Sequence, residues 1–141
     1  MKKALFTFAF ALLCIFSFGQ TIHKGSLLGL HILAPNLKDG VTMQDYTNFY
    51  MNKMIPEIEK AFPGVKGFIL KSVRGQDSSS IGVIYIFNSE ADRNKYWNND
   101  GTMTAAGQAA FNKVNDKLGK EMEKYETASD APNKYNDWVV Q

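Results

Sequence analysis

Val65-Lys66-Gly67-Phe68-Ile69-Leu70-Lys71-Ser72-Val73 and Ile81-Gly82-Val83-Ile84-Tyr85-Ile86-Phe87 are two strand-length runs with apolar side chains on both faces. Successive side chains along a strand point to opposite sides, so a half-solvated strand alternates apolar and polar residues. These two runs do not alternate. Each fully buried large apolar side chain stabilises a fold by roughly 1.5–3 kcal/mol, and several left wet on one face form an aggregation-prone patch. One face of the central ribbon therefore needs the chain's own helices, and the other needs a second partner. Gly75 to Ser80 is polar and long enough to return the second run antiparallel to the first.

The flanking segments supply the helices. Thr42 is a good N-cap, and Asp45 three residues on completes a capping-box-like pair, with Val41 placed to staple onto Tyr46. Tyr46, Tyr50, Met54, Ile58 and Phe62 then fall on one helical stripe. Pro56 interrupts this stripe, removes a backbone donor and predicts a kink or break near Ile55. Phe62-Pro63-Gly64 ends the element. After the second run, Asn88-Ser89-Glu90 opens a short helix reaching Tyr96-Trp97, and Asn98-Asn99-Asp100-Gly101 breaks it. A long helix is predicted from about Thr102 to Glu126, with Phe111, Val114, Leu118, Met122 and Tyr125 as its stripe. Its first turn, Ala105-Ala106-Gly107-Gln108-Ala109-Ala110, is small enough to let another backbone or a flat ligand approach closely, the alternative being a tight helix-on-sheet contact. Ser26 to Leu33 reads as a first strand and Asp137 to Val140 as a closing one. The order β-α-β-β-α-β is the ferredoxin-like split βαβ arrangement, an α+β class with an antiparallel sheet and right-handed crossovers that put both helices on one face.

The amino end carries a different message. Lys2-Lys3 precedes an unbroken, mostly apolar run from Ala4 to Phe18, and Ser17 and Gly19 put small residues three back and one back from a cut before Gln20. This is a signal-peptide pattern, with residues 1–19 removed and 20–141 forming one domain, periplasmic or extracellular. A retained anchor is the alternative. Lipidation at Cys14 is disfavoured by the bulky Leu12 and Leu13 before it. The whole chain has 16 basic and 14 acidic residues, a net charge of +2 that Lys2 and Lys3 account for. The remainder is balanced, without the basic stripe that nucleic acid requires and without a charge-driven attraction to membrane. Cys14 is the sole cysteine, so the mature part carries neither disulfide nor thiol nucleophile.

Diagnostic chemistry is sparse. Neither a phosphate-cradling GxxxxGK[ST] nor a dinucleotide GxGxxG occurs. Two histidines without a mature cysteine do not make a structural zinc site, so no metal and no cofactor are expected. His31, opposite in phase to Leu30 and Ile32, is the candidate general base or ligand contact, the alternative being a satisfied, half-buried imidazole. His23 belongs to the leader into the first strand. Arg74, Asp77 and Lys71 are read as a solvated hairpin tip, and the charges around Lys120 to Lys124 as a helix surface.

Ala61-Phe62-Pro63-Gly64-Val65, Tyr85-Ile86-Phe87-Asn88-Ser89-Glu90-Ala91 and the elbow Tyr96-Trp97-Asn98-Asn99-Asp100 give the chain a resemblance to the dimeric α+β barrel superfamily over nearly all of its mature length. That superfamily includes antibiotic-biosynthesis-monooxygenase-like and stress-responsive barrel domains. The resemblance implies a homodimer in which two sheets pack face to face. In the haem-degrading branch, a tryptophan near the elbow shapes the pocket and a histidine roughly ten residues later holds the iron. Thr104 to Gln108 lacks that histidine, and Leu28-Gly29-Leu30-His31 lacks the branch's first-strand asparagine, so Trp97 carries over only as a pocket wall. The expected function is a homodimer that holds a small apolar or aromatic molecule in a cleft between sheet and helices. Leu30, His31, Phe68, Tyr85 and Trp97 are the expected lining. A cofactor-independent monooxygenase-like enzyme is the rival reading, and a purely structural module the third.

Overall fold

The computed structural model describes residues 22–75, 80–127 and 134–141. The expected signal segment 1–19 lies outside these residues, as do most of the hairpin tip, including Asp77, and part of the final loop.

Four strands form the main sheet: β1 (Leu27–Leu33), β3 (Val65–Lys71), β4 (Ile81–Phe87) and β6 (Lys134–Val139). Their spatial order is β3-β4-β1-β6 and every neighbouring pair is antiparallel. This is the ferredoxin-like α+β fold. The closing strand begins at Lys134, three residues before the sequence places it. A two-residue ladder between β2 (Asn36–Leu37) and β5 (Glu126–Thr127) was not foreseen. Segments that short carry no periodicity, so only tertiary pairing reveals them.

Thr42 caps α1 (Met43–Phe49) with the reciprocal bonds the sequence suggested: Asp45 N–H donates to Thr42 Oγ1 at 3.1 Å, and Thr42 N–H donates to the Asp45 carboxylate at 3.0 Å. The break expected near Ile55 is a π-helical segment, Tyr50–Met54, whose last bond runs from Ile55 N–H to the Tyr50 carbonyl. Helix α2 (Ile55–Ala61) then starts with Pro56 in its first turn, where a missing N–H is tolerated. The wider turn absorbs the proline, so one apolar stripe continues through all three pieces. Tyr46, Tyr50, Met54, Ile55 and Phe62 are buried.

Ser89 caps the short α3 (Glu90–Arg93), which stops before Tyr96-Trp97 rather than reaching it. Helix α4 (Ala105–Met122) starts at an N-cap on Thr104. Its buried residues are Gly107, Ala110, Val114 and Leu118, while Phe111, expected in the stripe, is exposed. The small first turn explains the rotation. Gly107 lies so close to the elbow that a Cβ there would sit 2.1 Å from the Tyr96 carbonyl oxygen. Between the two occupants that this turn could admit, the structure selects a backbone.

The core lies between the helices and one face of the sheet. Leu27, Val65, Ile69, Ile81, Val83, Tyr85 and Phe87 all pack into it. The opposite face carries Phe68 and Leu70 from β3, Ile84 and Ile86 from β4, Leu28, Leu30 and Ile32 from β1, and Trp138 from β6. Ile86 is buried and the other β1 and β4 residues are half-buried, but Phe68, Leu70 and Trp138 are 50%, 40% and 60% exposed.

Candidate functional site

Strand phase carries His31 to the helix side of the sheet, with Leu27, Gly29 and Leu33. Its cross-strand partners are Val83 on β4 and Tyr135 on β6. The imidazole stacks on the Tyr135 ring, centroids 5.5 Å apart and planes 17° apart, and meets Tyr85 edge-on at 5.5 Å and 74°. Two phenols thus hold the imidazole on two sides, a geometry favourable for ring quadrupoles. Tyr135 remains 43% exposed, so the cluster opens toward solvent along β6.

Charge enters from the neighbouring pleat. Asp137 pairs in register with Gly29 and forms an ion pair with Arg93 at 2.9 Å. Arg93 is well buried, its side chain only 11% exposed, and it also donates to the Asn98 carbonyl at 2.8 Å and the Trp97 carbonyl at 3.3 Å. It therefore ties α3, the elbow and the edge strand together. Gly29 provides the room: a Cβ there would lie 3.1 Å from the Asp137 carboxylate and 4.0 Å from His31 Nε2. The absent side chain lets an acid sit near the imidazole. Gly101 plays the same part on the other side. Its left-handed φ of 82° turns the elbow, and any Cβ would strike the Tyr135 hydroxyl at 2.5 Å.

A second polar group lies deeper. Tyr46 is hydrogen-bonded to both Tyr50 and Glu126, and burial raises the pKa of all three. Burial likewise pushes the Tyr85 phenol up, with the Tyr50 side chain adding to it. These phenols stay protonated at any ordinary pH. The row Glu126, Tyr46, Tyr50 and Tyr85 is invisible in the sequence, because its members come from β5, α1, the π segment and β4.

Leu30 and Phe68 do not belong to this cluster, which corrects the expected lining. Both are in register with Ile84, on the outer face of the sheet. The side-chain period of two makes it impossible for Leu30 and His31 to share a face. Trp97 stays on the helix side but packs further along, stacked on Phe62 at 5.3 Å and edge-on to Phe87. It is a core wall rather than a neighbour of the imidazole. Sequence reading missed Tyr135, Asp137 and Arg93. Tyr135 precedes the closing strand predicted from Asp137, Asp137 is its polar first residue, and Arg93 has no motif.

The cluster offers a flat aromatic surface, an imidazole, a phenol donor and a nearby carboxylate. That set suits a planar molecule with one or two polar substituents. Among the described residues no group of three or more His, Cys, Asp or Glu is placed to hold a metal, and no helix is long and apolar enough to cross a membrane.

No protein-family profile matches the chain, and no curated protein matches it. It is similar in structure to a NIPSNAP family protein of unknown function from Agrobacterium tumefaciens str. C58. The TM-score is 0.46 at 16% sequence identity, covering 84% of this chain and 93% of that one. The ferredoxin-like architecture stands on its own strand order and register.

Proposed function

We infer that the protein is a homodimeric module that holds a small apolar or aromatic molecule. Two copies close their sheets face to face as an α+β barrel, and each copy keeps a ligand pocket at His31, Tyr85 and Tyr135. The observation that carries this reading is the apolar outer face, with Phe68, Leu70 and Trp138 exposed around half-buried Leu28, Leu30, Ile32 and Ile84. Three strands of seven residues and one of six span roughly 19 by 23 Å. Two such faces in contact hide on the order of the 1,000 Å² at which specific interfaces begin. Lys66 and Lys134 stand at opposite corners of the face and its centre carries no charge, which suits an isologous contact. In this reading Leu30 and Phe68 are interface residues. The Lys2-Lys3 and Ala4–Phe18 pattern supports export, which places the dimer in the periplasm or outside the cell.

The test has two arms. Sedimentation of residues 20–141 at micromolar concentration should give a dimer, and Leu30→Lys should give a folded monomer. A stable wild-type monomer refutes the dimer. For the pocket, naphthol should raise the melting temperature in a concentration-dependent way. The rise should vanish in Tyr135→Ala while the dimer persists. No rise in the wild type refutes the ligand role.

A further inference from the structure

A cleft of about 390 Å³ lies between the turn before α1, the flank of α1 and the π segment, and the end of α4. It shares no residue with the His31 cluster. Asp45, Asn48, Phe49, Asn52 and Lys53 reach it from one helical face, and Lys124 and Tyr125 from the opposite bank. The π segment supplies Asn52 and Lys53. Such segments are rare and concentrate at functional sites, because the inserted residue re-aims the side chains that follow.

The wall is aromatic and the rim donates. Tyr125 is stacked on the buried Phe49, centroids 4.6 Å apart and planes 24° apart, so its ring is braced. Asn48 Oδ1 already accepts from Gln44 Nε2 at 2.9 Å, which leaves its amide protons as the group on offer. Asp45 is the only acid in the lining, and its carboxylate is engaged by the Thr42 N–H and hydroxyl, which hold its pKa down. Lys53 is tethered by Glu121 on α4, which fixes one cation at the edge. Lys124 supplies a second. The balance of available groups is therefore amide and ammonium donors around a ring-sized apolar wall, and the volume falls within the range of small-molecule sites.

We propose that this cleft binds a small ring-bearing organic anion, an aromatic carboxylate in chemical class. The ring lies against Tyr125, and the carboxylate is met by the Asn48 and Asn52 amides and the Lys124 ammonium. Asp45 disfavours a second negative charge, so a monoanion fits better than a phosphate dianion.

The probe is benzoate, titrated into residues 20–141 and followed by amide chemical shifts, with benzamide as the neutral isostere. Saturable shifts are expected in residues 48–53 and 124–125 at millimolar benzoate. Benzamide should bind about tenfold more weakly, and Lys124→Gln and Asn52→Ala should each weaken benzoate about fivefold without changing the melting temperature. Absence of saturable shifts there overturns the proposal. So do equal affinities for benzoate and benzamide, indifference to both variants, or shifts confined to residues around His31 and Tyr135.

Discussion

Replacing Gly107 by alanine inverts the usual rule for a helix interior. Alanine is favoured over glycine by about 0.8–1.0 kcal/mol at an ordinary helical position. At Gly107 the new methyl would sit 2.1 Å from the Tyr96 carbonyl oxygen and 3.0 Å from its carbon. Relief needs a shift of the order of 1 Å between α4 and the elbow. The same carbonyl accepts the Thr104 N–H at 3.0 Å, and the Thr104 hydroxyl donates to the Lys95 carbonyl at 2.7 Å while accepting the Gly107 N–H. Moving the helix therefore loosens its own N-cap. Overpacking costs about 1–3 kcal/mol and a weakened hydrogen bond about 0.5–1.5. Set against the helix gain of about 1 kcal/mol, the net expectation is a loss of about 1–3 kcal/mol. At about 3–6 °C per kcal/mol for a domain of this size, the melting temperature should fall by roughly 5–15 °C. Gly119 on the same helix is the control. A Cβ there meets only the end of the Asn115 side chain, at 2.8 Å, which can rotate away. Gly119→Ala should raise stability by up to about 1 kcal/mol. Paired urea and thermal unfolding curves decide the matter. If Gly107→Ala stabilises as Gly119→Ala does, the close approach of α4 to the elbow is wrong.

Other consequences are equally concrete. Arg93→Met strips the Asp137 carboxylate of its partner on the edge strand and should cost about 1.5–3 kcal/mol, with faster amide exchange along β6 than along β3; unchanged exchange in β6 would count against the tie. Glu126 is held above its ordinary pKa chiefly by burial, so the folded state binds its proton more readily than the unfolded chain does. Its contribution then falls as pH rises from the ordinary carboxylate value of 4.5 through the raised one. Glu126→Gln should flatten that decline and be the more stable form at neutral pH, a result that unfolding curves at several pH values will show or exclude. Gly101→Ala should destabilise twice over, through its left-handed φ and through collision with the Tyr135 hydroxyl. The companion variant Gly101→Ala with Tyr135→Phe should recover only the part due to the collision, as a double-mutant cycle would measure.

Local signals announced much of the framework. The Thr42–Asp45 cap, the disturbance before Pro56 and the two-sided apolar runs each follow from short-range physics: a side chain meeting its own backbone, a missing N–H, a period of two. Errors arose where one element meets another. Phe111 looked like core because its spacing is right, but the approach of Gly107 to Tyr96 rotates the helix and buries Ala110 instead. Tyr135 lies before the closing strand that the sequence predicts from Asp137, because Lys134 to Asn136 is too polar to stand out as a strand. It joins the sheet because β1 presents an unpaired edge to it.

The residues alone determined the ferredoxin-like order of elements and the apolar character of both sheet faces, because both depend on periodicity along the chain. They also placed His31 out of phase with Leu30. Only the tertiary structure brought His31 between Tyr85 and Tyr135, set Asp137 in the space left by Gly29, and moved Phe68 and Leu30 to the opposite face from the imidazole. Those relations join residues separated by as many as 108 positions, Gly29 and Asp137, and cross-strand register, which no local pattern encodes, sets them.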